Sequence, residues 1–266
     1  MDRYDRLAKC IEEMADYACE TQHEVVRTYK DDGSVLTNTD LYISSTICDV
    51  IRTLFPEANI VTEESLNEFD DHAEMTFVLD PIDGTDVYSQ GSPAWCISLG
   101  ILDRNHKCVG AMVNAPRFGL SRDQGLFFRQ DPGKKVLLNG QIFKVDTDKD
   151  EPRQIAMGSN SPRHLDFSCF RGKIRCYGSN ILHMVSILIH SHIQGAIAVP
   201  CFAWDMVGAH ALLEACGFAV RYADGRQFAY DHRLLVERKP FKGIVICGTE
   251  KGIESIAKML PPLECD

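Results

Sequence analysis

The stretch Asp80-Pro81-Ile82-Asp83-Gly84-Thr85 ends an apolar run with two carboxylates three residues apart, then breaks it with Gly-Thr. Three other places put acids where an apolar segment ends or a helix begins. They are the polar loop 30–40 with Asp31, Asp32 and Asp40, the Glu63-Glu64 pair after Asn59-Ile60-Val61, and Asp205 after Trp204. Taken singly, each has a plain structural role. Asp40 and Asp205 cap helices, worth about 1 kcal/mol each. Glu63-Glu64 is a solvated loop, and Asp83-Gly84 is an ordinary turn.

Convergence changes the chemistry. Two like charges 4 Å apart repel by about 4 kcal/mol at an effective dielectric of 20, so gathered carboxylates need cations to stay ionised. Oxygen ligands without Cys or His among them select Mg²⁺, Mn²⁺ or Ca²⁺ over zinc. The Ile82 carbonyl lies between the paired acids. Gly84 removes bulk where a ligand must meet backbone, and the amides of Gly84 and Thr85 at a helix start suit a phosphate oxygen. The stretch thus reads as acids for metal and amides for phosphate, provided the four segments meet.

The whole chain sets the limits. Its 266 residues are enough for one large domain or two lobes, and a hydrophobic share of 45% with 25% charged residues is that of a globular protein. A net charge of −10 argues against a nucleic-acid polymer as partner. No apolar stretch is long enough to span a membrane, and the charged N-terminus is unlike a signal peptide, so a cytoplasmic location is expected. Eleven scattered cysteines without a Cys-x-x-Cys pair read as reduced, mostly buried thiols. His190 and His192 read as a helix end.

The elements that must position the acids follow from periodicity. Leu7, Ile11, Met14, Ala15 and Ala18 predict an amphipathic helix over the first ~25 residues. Thr39 or Asp40 is expected to cap a second helix carrying Ile43, Ile47 and Ile51, stopped by Pro56. Strands are predicted at 59–64, 75–80, 94–102, 108–115 and 125–129. Residues 130–153 read as a hairpin region or lobe boundary. Beyond it strands at 154–159, 173–179, 195–200, 218–222 and 243–249 alternate with helices at 181–190 and 205–215, the rhythm of a layered α/β lobe. The expected division is an N-terminal lobe 1–150 carrying most acids and a C-terminal lobe 151–266 carrying Asp205.

The sequences at 80–85, 63–64 and 204–217, in that order and spacing, resemble the signatures of the inositol monophosphatase superfamily. The resemblance implies an αβαβα sugar-phosphatase fold of class α/β (α+β) and a lithium-sensitive, Mg²⁺-dependent phosphomonoesterase acting through metal-activated water. By that resemblance Glu63, Asp80 and the Ile82 carbonyl hold one ion, and Asp80, Asp83 and Asp205 a second. Two or three Mg²⁺ ions are implied, with Mn²⁺ as a substitute. Thr85, supported by Asp40 or Asp32, orients the water. Gly84, Thr85, Asp86, Gly178, Ser179 and Asn180 face phosphate or substrate, and a homodimer is implied.

The expected substrate is a small inositol or sugar phosphate. The position of the family's inositol-contacting acid is Ala198 here, which disfavours inositol monophosphate itself. The loop Lys30-x-Asp32-x-Ser34-x-x-Thr37-x-x-Asp40 resembles the adenosine-bisphosphate nucleotidase branch, making a 3′(2′),5′-bisphosphate nucleotidase the alternative. Asp86, Tyr88, Asn180, Ala198 and Phe202 are expected to line the substrate cleft. A haloacid-dehalogenase-type route is disfavoured because Pro81 occupies the nucleophile position. A non-catalytic metal- or phosphate-binding regulator is the remaining reading, opposed by the complete set Glu63, Asp80, Asp83, Thr85 and Asp205.

Overall fold

The computed structural model describes residues 2–119, 121, 124–145 and 152–263. Helix α1 (Arg3–Thr21) starts at a reciprocal cap between Asp2 and Asp5 and buries the predicted stripe Leu7, Ile11, Met14, Ala15 and Ala18. The loop after it is more ordered than its polar sequence predicts. Strands β1 (Arg27–Tyr29) and β2 (Val35–Thr37) pair antiparallel there. Helix α2 (Asn38–Leu54) is capped by Thr37, neither by Thr39 nor by Asp40. Asp40 instead sits one turn in and reaches back to Thr37, the reciprocal half of the capping box.

A seven-stranded sheet follows in sequence order: β3 (Asn59–Thr62), β4 (Met75–Asp83), β5 (Cys96–Asp103), β6 (Cys108–Ala115), β7 (Leu126–Gln130), β8 (Leu137–Leu138) and β9 (Gln141–Ile142). Only β3 and β4 run parallel. The short helix α3 (Thr85–Ser89) interrupts the β4–β5 connection. The first strand stops at Thr62, leaving Glu63 and Glu64 beyond its end.

The second sheet contains β10 (Gln154–Met157), β11 (Lys173–Arg175), β12 (Gly195–Ala198), β13 (Ala219–Tyr222) and β14 (Val245–Gly248), in the order β11-β10-β12-β14-β13. Helices α4 (Asn180–Ile189) and α5 (Val207–Ala215) are packed between the sheets. Helices α1 and α2 cover the outside of the first sheet, and α7 (Glu250–Met259) that of the second. A one-turn helix, α6 (His232–Leu235), precedes β14. The layers are therefore αβαβα, as the resemblance implies. The predicted strand at 173–179 is shorter, and α5 begins at Val207, two residues after Asp205. One apolar core runs from Val61 and Val78 through α4 and α5 to Val245 and Cys247, so the sheets divide near residue 150 while their packing is continuous. Of the predicted boundary segment, residues 146–151 lie outside the described residues. Among the described residues, no helix is long and apolar enough to cross a membrane.

Helix α5 approaches β5 so closely that Gly100 and Gly208 have no room for a side chain. A Cβ on Gly100 would stand 2.2 Å from Val207 Cγ1, and one on Gly208 2.3 Å from Ser98 Oγ. This contact fixes the start of α5, and hence Asp205, against the strand pair that carries Asp80 and Asp83. Gly100→Ala is expected to cost about 1–3 kcal/mol in urea unfolding and to lower activity by displacing Asp205. Parent-like stability would show that the contact gives way without strain.

Candidate active site

On a regular strand Asp80 and Asp83 would face opposite sides of the sheet, because side chains alternate. Here Asp80 pairs with Ser98 and Asp83 with Cys96, so β4 carries one extra residue against β5. Pro81, which has no N–H for the ladder, lies in this bulge. The extra residue turns both carboxylates to one side. Asp205 joins them from the turn before α5, and the three residues offer oxygens within 4.8 Å of one another.

Each acid is held by backbone donors. The Ile82 amide donates to Asp80 Oδ1 at 3.1 Å, and the Phe202 amide to Asp205 Oδ2 at 2.8 Å. Asp83 accepts from the Ser179 hydroxyl and from the amides of Asn180 and Ile181, at 3.3 and 2.7 Å. The N-terminus of α4 thus points at Asp83, where its dipole favours an anion. Asp80 is 1% and Asp83 5% exposed.

Burial first, and then the neighbouring acids, push Asp80 and Asp205 well above the usual carboxylate range. Burial also raises Asp83 to about 6, although Ser179, Ile181 and Asn180 pull it down. These acids are thus short of positive charge, and hard oxygen donors of this kind fit Mg²⁺ or Mn²⁺.

Glu63 and Glu64 do have a cation. Lys30 Nζ, from the turn between β1 and β2, donates to Glu63 Oε1 at 2.6 Å and to Glu64 Oε1 at 2.9 Å. Burial and Glu63 still raise Glu64 to about 7 against the pull of Lys30. Arg238 braces the same turn by donating to the carbonyls of Thr62 and Glu63 and lies 5.1 Å from the Trp204 ring centre.

The raised acids have a consequence for stability. Asp80, Asp205 and Glu64 hold protons more tightly in the folded chain than in the unfolded one, so stability falls as pH rises. The metal-free protein is expected to melt at a lower temperature at about pH 8 than at about pH 6.5, with saturating Mg²⁺ flattening the difference. A rising melting temperature over that interval without metal would contradict the charge imbalance.

Thr85 Oγ1 lies 3.0 Å from Asp40 Oδ1 and 2.9 Å from the Ile82 carbonyl. Asp40 is fully buried, and its other oxygen accepts from the Thr37 amide and hydroxyl. Burial lifts it to about 6 against those bonds. Of the two supports expected for Thr85, the contact is made by Asp40. Asp32 is exposed and bonds within its own turn to Ser34.

The acids open onto a cleft of about 680 Å³ that also receives Ile82, Gly84, Thr85, Asp86, Gly178 and Asn180. Gly84 has φ +98°, a backbone that glycine alone adopts without strain. Ser179 does not line the cleft. It is 1% exposed, and its hydroxyl donates to Asp83, so it positions an acid. Tyr88 and Ala198 are also buried, contrary to expectation. The Tyr88 ring packs edge-on to Trp95, and its hydroxyl donates to the Ala18 carbonyl at 2.9 Å. Phe202 lines an adjoining groove of about 550 Å³ with Lys30, Asp32, Trp204 and Arg238.

Sequence reasoning missed His183, which lines the cleft from α4 and accepts from the Tyr177 amide at 2.8 Å. Burial lowers it to about 4, so it is neutral. Its position one turn after Asn180 was the available signal. The ion pairing of Lys30 had no local signal, because Glu63 lies 33 residues away.

A profile of the inositol monophosphatase family matches residues 4–255. The chain belongs to the inositol monophosphatase family. With that family it stands among the phosphatases. A curated relative, Phosphatase IMPL1, chloroplastic, of Arabidopsis thaliana, is 26% identical over 253 residues, covering 84% of this chain and 66% of the plant protein. The 3′(2′),5′-bisphosphate nucleotidase CysQ of Haemophilus influenzae is 24% identical over 227 residues, 80% of this chain and 81% of that one. In fold, the chain is similar to the IMPase of Thermotoga maritima, with a TM-score of 0.77 at 21% identity, covering 97% of this chain and 96% of that one.

Proposed function

We propose that this member of the inositol monophosphatase family hydrolyses a small inositol or sugar phosphate, with Mg²⁺ as its cation and Mn²⁺ as a substitute. The observation that carries the reading is the trio Asp80, Asp83 and Asp205, gathered within 4.8 Å beside the Thr85–Asp40 pair. Those three acids, with Glu63 and the Ile82 carbonyl, are the groups that would hold the cations. When bound, Mg²⁺ supplies Lewis-acid polarisation of phosphate and of water.

The chain's own residues do the rest. Thr85 Oγ1 gives its proton to Asp40 Oδ1, which leaves the hydroxyl oxygen free to accept one from the attacking water. Asp40, at about 6, is matched to receiving a proton near neutral pH. Gly84 and Thr85 offer amides to the phosphate at the start of α3. Asp86 and Asn180 line the same cleft and would face the leaving group. Most of the rate then comes from positioning and charge complementarity.

A second reading, the 3′(2′),5′-bisphosphate nucleotidase, is favoured by the adjoining groove. Phe202 and Trp204 stack there with centroids 4.7 Å apart and planes 7° from parallel, beside Lys30 and Arg238. An aromatic face suits a base, and the Arg238 guanidinium suits a second phosphate. Phosphate release in Mg²⁺ from inositol monophosphate, fructose bisphosphate and adenosine 3′,5′-bisphosphate separates the readings. Preference for a sugar or inositol phosphate supports the first, and preference for the nucleotide the second. Mg²⁺ binding without turnover of any of them would support a regulator.

A further inference from the structure

A second cluster of metal-ligating side chains lies at the opposite end of α5 from Asp205. His210 and Glu214 stand one helical turn apart, a spacing that puts both on one face. Cys108, the first residue of β6, faces them, and the three residues offer ligand atoms within 4.8 Å of one another. None of them lines the acidic cleft. The ligand types differ as well: a thiol, an imidazole and a carboxylate, where the trio Asp80, Asp83 and Asp205 has carboxylates alone.

The histidine gives the cluster its direction. His210 is 4% exposed, and its Nδ1 is engaged with the Tyr230 hydroxyl at 3.1 Å. Its Nε2 has no hydrogen-bond partner, although Glu214 Oε1 lies 3.3 Å away. With Nδ1 engaged by the phenol, Nε2 is the nitrogen left facing the thiol and the carboxylate, which is how an outer partner orients a ligating histidine. Cys108 is partly exposed and Glu214 exposed, so a cation has a path from solvent.

We propose that Cys108, His210 and Glu214 form a zinc-class transition-metal site, with solvent as the fourth ligand. Thiolate and imidazole donors select such a metal over Mg²⁺. On binding, the Cys108 thiol releases its proton to solvent and the sulfur becomes the anionic ligand. The His210 ring, which burial alone would keep neutral, is pushed up to about 10 by Cys108 and Glu214, and it too gives up any proton on Nε2 to the incoming metal. The bound ion ties the end of α5 to the edge of β6, so binding stabilises the native chain.

The test uses the full chain under reducing conditions, with saturating Mg²⁺ to occupy the acidic cleft, and Co²⁺ and Zn²⁺ alone as probes. One equivalent of Co²⁺ is expected to give a near-ultraviolet thiolate-to-metal charge-transfer band, and Zn²⁺ to abolish it by competition. Cys108→Ser is expected to remove the band and the Zn²⁺-induced rise in melting temperature, while keeping parent turnover in Mg²⁺. Glu214→Gln is expected to weaken Zn²⁺ binding about 10-fold or more. Both changes preserve side-chain size at accessible positions, and a parent-like melting curve without Zn²⁺ verifies the fold. A band that survives in Cys108→Ser, or no band in the parent at one equivalent, overturns the site.

Discussion

Asp80→Asn is expected to lower kcat/KM by at least about 10³-fold and to leave the metal-free chain as stable as the parent, or more stable. The two halves of this outcome share one cause. Asp80 is buried among Glu63, Asp83 and Asp205, all of which raise the free energy of its ionised form. An amide of the same shape keeps an oxygen for the Ile82 amide and removes a charge that destabilises the empty site. The same change removes a charged ligand from the place where the cation binds. Mg²⁺ should therefore raise the melting temperature of the parent and have much less effect on the variant. An ordinary core defect would lower both stability and activity. Parent-like turnover measured by phosphate release, or a variant less stable than the parent without metal, would remove the basis of the cation reading.

Thr85→Val should lower kcat by about 10²–10⁴-fold with little change in KM. Valine keeps the β-branched shape and the backbone amide offered to phosphate, and loses only the hydroxyl that Asp40 and the Ile82 carbonyl share. Thr85→Ser should recover most of the activity, because the oxygen returns. Asp40→Asn should resemble Thr85→Val in rate. Its Oδ can still accept from Thr37, but the –NH₂ that replaces the other oxygen donates to Thr85 and cannot take its proton. A loss in Thr85→Val that appears in KM alone would make the hydroxyl a binding group and break the proton route.

Much of this site was legible because its acids carry local punctuation. Asp80 and Asp83 stand at the end of an apolar run, and Asp205 precedes a helix closed by Gly217, so their elements could be read from periodicity. Their meeting could not be derived from spacing; it followed from the family resemblance. The bulge at Pro81 is the physical reason a three-residue spacing on a strand gives two acids on one side, and a turn was the simpler expectation. Asp40 was legible as a capping residue, but the cap itself is Thr37. The hairpin of β1 and β2 was hidden by its polar surroundings, since both strands are only three residues long and β1 is exposed throughout. The sequence alone leads one to expect Ser179, Tyr88 and Ala198 at the cleft. Their burial depends on which side of a short element meets the core, and five to ten residues do not determine that.

Lys30 shows the limit most clearly. Its sequence neighbours made it part of a loop motif, whereas its partners Glu63 and Glu64 come from the end of another sheet strand. That contact sets a lysine beside Glu63 and Glu64, whereas Asp80, Asp83 and Asp205 are held by backbone amides and the Ser179 hydroxyl. The contrast appears only once the chain is folded.

Anomalous diffraction from crystals grown with Mn²⁺ and inorganic phosphate tests the cation reading directly. Metal density is expected among the side chains of Asp80, Asp83 and Asp205, with phosphate over Gly84 and Thr85. A cleft without metal density at saturating Mn²⁺, with phosphate bound elsewhere, would contradict it.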